Sequence, residues 1–192
     1  MQLKNLIETT IFEYINEENI IYEDIFRADN TIKNYEKYII DSVINFLKEE
    51  WDFDAKIVVK KKQNNNLIGD ISLNANSVFN NKFTLHFNPN QSYLGVIKSL
   101  IHELTHVKQI SKGELKPASD WKSIIWNNKY EISVKDYTKT MKDFNKYKEL
   151  PWEQEAYKNM LDTSLHNKLF KSKYWTGLKG KDETLDYIIN NI

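Results

Sequence analysis

Apolar residues at helical spacing open the chain. Leu3, Leu6, Ile7, Ile11, Tyr14 and Ile15 predict a helix over residues 2 to about 26. Tyr35, Ile39, Val43, Phe46 and Leu47 form the stripe of a second, from Thr31 as N-cap to about Trp51. Both stripes read as scaffold facing a core. The period then changes. Residues 55–60, with Ile57-Val58-Val59, then Leu67 to Leu73, then Lys82 to Phe87 predict three strands. In the last, Phe83, Leu85 and Phe87 alternate with Lys82, Thr84 and His86. The polar run Lys61 to Asn66 reads as a hairpin tip. Asn88-Pro89-Asn90 ends the third strand, and Asn90 or Ser92 caps a helix over about Gln91 to Ser111 that stops before Gly113. Residues 115–146 read as irregular, apart from a hairpin around Trp126-Asn127-Asn128-Lys129-Tyr130. Pro151 suits the first turn of a helix running to about Phe170. Gly177 and Gly180 mark a loop, and Asp182 or Thr184 starts a short last helix. With no repeat or linker, the pattern predicts one α+β domain over residues 1–192: N-terminal helices in 1–51, a core in 52–170 and a tail helix in 171–192.

Composition narrows the partners. Lys plus Arg and Asp plus Glu each number 27, so a zero net charge supplies no field for nucleic acid or an anionic membrane. Lys60 to Lys62 then reads as a solvated turn. The absence of cysteine excludes a disulfide scaffold, a zinc ribbon and a thiol nucleophile, and fits a cytoplasmic protein. Glu8, Glu13, Glu17 and Glu18 interrupt the N-terminal apolar residues, which argues against a signal peptide, and no apolar run has the length of a membrane span. Oligomeric state is not legible.

One turn of the helix over residues 91–111 carries a chemistry. Ile97, Leu100, Ile101, Leu104 and Val107 form its apolar stripe, with Ser99, His102, His106 and Gln109 beside it. In His102-Glu103-Leu104-Thr105-His106 the histidines lie one turn apart, so both imidazoles can reach one metal ion and Glu103 can reach a water on it. A catalytic zinc takes three protein ligands and leaves a position for water. No histidine follows within Val107 to Lys112, and the others are His86 and His166, so the third ligand is expected to be a carboxylate from a later helix. Pro151-Trp152-Glu153-Gln154-Glu155-Ala156-Tyr157 offers two. Glu153 shares a stripe with Ala156, Tyr157 and Met160 and is expected to point inward, where a carboxylate needs a partner. Glu155 shares a polar stripe with Lys158, Asn159, Asp162 and His166 and is expected in solvent. Glu153 is therefore the expected ligand and Glu155 the alternative; a helix-capping role competes for Glu153.

The chemistry this predicts is peptide hydrolysis with Zn2+ as cofactor. Glu103 takes the proton of the attacking water and passes it to the leaving nitrogen. Tyr147 and Tyr157, with Tyr130 and His166 behind them, are candidates to stabilise the oxyanion or to support the ligands. His86 sits on the strand before the helix, where an edge could pair with an extended peptide. Thr105 has no role beyond filling the helix.

These residues resemble a known group. His102 to His106 with Val107-Lys108-Gln109, then Gly113-Glu114-Leu115, Trp121, Trp126, Tyr147 and Pro151 to Ala156, look like short bacterial and bacteriophage zincin metallopeptidases. The likeness spans about residues 83–165, less than half the chain. Glu153-Gln154-Glu155-Ala156 is similar to the Glu-x-x-Ala element at the glutamate ligand of gluzincins, although Tyr157 stands where several of them place Asp or Asn. Without cysteine or a third ligand histidine, the pattern departs from DNA-repair-type SprT-like proteases. The resemblance implies a zincin-like α+β fold: a small twisted sheet on an active-site helix, with further helices at both ends. It implies a zinc hydrolase acting on a peptide or protein, with no substrate identified. The alternative is a zinc-binding regulatory or interaction module without catalysis; a weaker one is a structural protein with a fortuitous motif.

Overall fold

The structure, a computed structural model, describes residues 20–23, 34–61, 69–72, 80–87 and 92–191. Among these residues it is a mixed α+β arrangement with two small sheets. Strand β1 (Ile20–Glu23), helix α1 (Asn34–Glu50) and strand β2 (Lys56–Lys61) form a strand–helix–strand unit whose strands pair in parallel. The expected first helix is therefore corrected at its end: residues 20–23 are a strand, and the rest of it lies outside the described residues. Ile20-Ile21-Tyr22 is an unbroken β-branched and aromatic run, which favours extended backbone over a helix. Thr31 also lies outside the described residues.

Strands β3 (Gly69–Ser72) and β4 (Lys82–Phe87) complete a sheet ordered β1-β2-β4-β3. β4 runs parallel to β2 and antiparallel to β3. A hairpin between β2 and β3 is thus excluded, because β4 lies between them. β4 alternates fully buried Phe83 and Leu85 with half-buried Lys82, Thr84 and His86. Paired on both sides, it finds partners for the backbone groups along each side, half of which an edge position would leave unpaired. The expected edge at His86 is corrected for the same reason: His86 lies opposite Lys60 and Asp70 in the interior of the sheet.

Helix α2 (Tyr93–Ser111) starts at Ser92, whose Oγ accepts from the Gly95 amide at 3.2 Å. Asn90 is outside the described residues. The helix ends where Gly113 adopts φ +70°, with its amide bonded to the Ile110 carbonyl and the Glu114 amide to that of Gln109. This paired closure needs a left-handed residue, which glycine supplies without steric cost.

Residues 115–146 are more ordered than their pattern predicts. Strands β5 (Leu115–Pro117), β6 (Ser123–Trp126) and β7 (Tyr130–Ser133) form an antiparallel sheet, followed by helices α3 (Val134–Thr140) and α4 (Phe144–Lys148). These strands are short and only half-buried or exposed, so no face is apolar enough to print an alternation. The hairpin at Trp126–Tyr130 is present, with Asn127 and Asn128 at φ 49° and 57°; asparagine tolerates that region and favours such turns.

The helix expected over residues 151–170 is two helices, α5 (Pro151–Leu161) and α6 (Thr163–Lys171). Asp162 ends the first and caps the second, its carboxylate accepting from the amides of Ser164 and Leu165. Helices α7 (Lys173–Thr176) and α8 (Glu183–Asn191) follow, with Asp182 holding the amides of Thr184 and Leu185.

One apolar cluster joins these parts. Ile40, Val43, Ile44 and Leu47 of α1 and Ile97, Leu100, Ile101 and Leu104 of α2 meet Ile57, Val59, Phe83 and Leu85 of the sheet, and Leu169, Trp175, Leu185 and Ile188 close the far end. Each such side chain contributes about 1.5–3 kcal/mol of burial. α2 therefore lies against the core along one side and offers the other to α5. No helix among the described residues is long and apolar enough to cross a membrane.

Candidate metal centre

α2 presents His102 and His106 on one face, and α5 brings Glu153 against them. Pro151 begins α5 without needing an amide partner, which sets Glu153 in its first turn. Ala156, fully buried one turn later, allows the helices to approach. Glu153 is 1% exposed and His106 9%. His102 Nε2 lies 3.4 Å from Glu153 Oε2, and His106 Nε2 lies 3.3 Å from Oε1. The two imidazoles are edge to face, 5.0 Å apart.

One imidazole nitrogen from each histidine and a carboxylate oxygen lie within 4.8 Å of one another. This group could hold a metal ion. Its unsatisfied polar atoms fit that role. Glu153 Oε2 is buried and receives no hydrogen bond. Leaving a buried carboxylate oxygen unmatched costs free energy that a cation between the three groups would recover. Two imidazoles and one carboxylate are also the donor set of an open zinc site.

The charges respond to the same crowding. Burial alone would raise the Glu153 carboxyl, yet His102, His106 and the Tyr147 hydroxyl outweigh it and hold the group at about 2. Burial would lower His106, but Glu153, Glu103 and Gln109 push it up to about 9. The neighbouring carboxylates thereby favour a proton on His106.

Glu103 is half-buried beside the first histidine. Its charge acts on His106, Tyr147 and Tyr157, so it belongs to this electrostatic neighbourhood. Tyr147, on α4, donates its hydroxyl to Glu153 Oε1 at 2.6 Å. Burial first, then the Glu153 charge, raises its pKa and keeps it a donor. Tyr157 is half-buried, with its ring 4.7 Å from that of His102. Burial, Glu153 and Glu103 raise its pKa as well.

Glu155 is not in solvent, as its stripe suggested. It is half-buried and takes a 2.7 Å bond from Lys108, which also lies 3.2 Å from Glu114. Its stripe partner Asn159 likewise faces α2, donating to Thr105, so this side of α5 lies along the helix interface. His166 belongs to α6; it is buried, its Nε2 is 3.1 Å from the Met160 carbonyl, and its ring packs on Phe170. Burial lowers its pKa. Tyr130 packs on Trp152 and is 39% exposed. Neither is among the groups that meet Glu153.

Three participants carried no assigned role in the sequence reading. Gln109 Oε1 lies 2.9 Å from His106 Nδ1, and its Nε2 donates to the Trp152 carbonyl at 3.0 Å and to Glu155 Oε2 at 3.3 Å. Its place three residues after His106, on the polar stripe, was the available signal. Thr105 is buried, donates to the Ile101 carbonyl at 2.8 Å and accepts from Asn159 of α5 at 3.3 Å. Tyr137 of α3 packs on Trp152 at 6.0 Å between ring centroids, and burial followed by the Glu153 charge raises its pKa. Nothing local in the sequence marks it. No protein-family model, curated protein or solved structure matches the chain.

Proposed function

We propose that this protein is a zinc-dependent metallopeptidase with a zincin-like arrangement of helices. The observation that carries the reading is the meeting of His102, His106 and buried Glu153, with the charge of Glu103 acting on His106. His102, His106 and Glu153 would hold the ion, which when bound acts as a Lewis acid and acidifies a coordinated water. Glu103 accepts the proton of the attacking water and delivers it to the leaving nitrogen. Tyr157 beside His102 stays neutral and can donate to the oxygen that gains charge as the carbonyl is attacked. Tyr147 holds the ligand carboxylate. The substrate is a peptide or protein.

One observation favours a second reading, a zinc-binding module without catalysis. The cluster is closed in, with the His102 side chain 12% and the Glu153 side chain 2% exposed, which leaves a substrate little open surface at the ligands. Metal content and a peptide-library assay separate the two. Purified protein should hold about one zinc per chain. Glu103→Gln should keep that zinc and lose cleavage by about 10²-fold or more. Wild type that holds zinc but cleaves nothing supports the module, and protein that never takes zinc sinks both readings.

A further inference from the structure

The two histidines differ in what stands behind them. His102 Nδ1 is buried with no hydrogen-bond partner. His106 Nδ1 meets Gln109 Oε1 at 2.9 Å. That amide is itself held. Its nitrogen donates across the helix interface to the Trp152 carbonyl at 3.0 Å and to Glu155 Oε2 at 3.3 Å, and Glu155 is anchored by Lys108 at 2.7 Å. Gln109 is fully buried, so its amide cannot exchange these partners for water.

The direction of the amide follows from its neighbours. Trp152 offers a carbonyl and Glu155 a carboxylate, both acceptors, so both must face the NH2 of Gln109. The carbonyl oxygen is then committed to His106 and can only accept. His106 must therefore carry hydrogen on Nδ1, and its Nε2 is aimed at Glu153. We infer that Gln109, oriented by Trp152 and Glu155, is a positioning residue that sets the tautomer and ring direction of His106 for metal binding. This rests on the reading of the cluster as a metal centre. It also gives Glu155 a task other than coordination: it holds the amide that holds the ligand. Groups behind a ligating histidine commonly affect metal affinity 10–100-fold.

The test uses the full chain, stripped of metal, then titrated with zinc against a chromophoric chelator and with cobalt(II) as a spectroscopic probe. Gln109→Leu removes the acceptor while keeping bulk. It should weaken zinc by about 10–100-fold, alter the cobalt absorption spectrum, and speed the exchange of the His106 Nδ1 proton, followed by NMR in the metal-free protein. Gln109→Met, which also lacks the amide but keeps the length of the side chain, is the second variant and should show the same losses. Glu155→Gln keeps an acceptor toward the Gln109 amide, so it should retain most of the affinity and the slow exchange of the Nδ1 proton. A folded Gln109→Leu protein with unchanged affinity, spectrum and Nδ1 proton overturns the inference, although the metal reading stands. Wild type that binds neither metal removes the metal reading, and the Nδ1 proton then decides the role of Gln109 by itself. If Gln109→Leu does not fold, Gln109→Met decides: a folded protein with unchanged affinity, spectrum and Nδ1 proton overturns it.

Discussion

Helices α2 and α5 and the segment formed by α3 and α4 both reach Glu153, but on different foundations. α2 has ten buried residues, and α5 buries Trp152, Glu153 and Ala156. α3 and α4 have none. Yet α4 supplies the hydroxyl that bonds Glu153, and α3 lays Tyr137 on Trp152. The groups that would bind metal, and Gln109 behind one of them, thus stand on the core, where rotamers are held by packing, whereas Tyr147 and Tyr137 come from a surface segment with little burial of its own. A metal site would depend first on the core side, with the surface side adding one bond to Glu153.

Acidity should break the comparison hardest. The raised value of His106, about 9 against an ordinary 6.5, means that a metal must displace its proton. Apparent metal affinity should therefore rise by roughly tenfold per pH unit up to about 9 and level off above it. Metal-free stability runs the other way. The contribution of His106 is complete below about 6.5 and is lost as pH rises through about 9. That of Glu153, held at about 2 against 4.5, is complete above 4.5 and is lost as pH falls through 2. Thermal melts of metal-free protein should show this pair helping most between pH 4.5 and 6.5. An affinity that does not change between pH 6 and 9 would contradict the coupling.

Next comes the core. Leu104, fully buried between the two histidines on the opposite side of α2, should cost about 2–5 kcal/mol on truncation to alanine, read by denaturant unfolding. Loss of metal should accompany that loss of stability. If the site survives with full affinity in a strongly destabilised Leu104→Ala, the packing of α2 does not hold it.

The smallest effect should come from the surface segment. Tyr147→Phe removes one hydroxyl from Glu153 Oε1 and keeps the ring. Metal affinity should fall by about tenfold, the value of a bond to a charged acceptor, with little change in unfolding. A large loss of stability would mean that α4 is part of the core after all.

The periodic elements were legible because their signals are local. The stripe of α1, the alternation of β4, Ser92 before α2 and Gly113 after it all involve neighbours within a turn or two. His102, Glu103 and His106 belong to that class, since four residues on a helix place both imidazoles on one face. Pairing was not local. Which strand lies beside β2, and that β4 is internal, depends on backbone groups far apart in the chain. The same holds for Tyr137, which shares no period with the site it touches.

By itself, then, the sequence determined a helix with two imidazoles and a carboxylate on one turn, and a later helix with two glutamates. Tertiary structure decided which glutamate meets the histidines. The approach of α5 to α2 buries Glu153 with an unmatched oxygen against both rings and turns Glu155, two residues on, to Lys108 and Gln109. Helical geometry separates those two side chains by about 200°, but only the packing of one helix on another says which direction faces the two histidines.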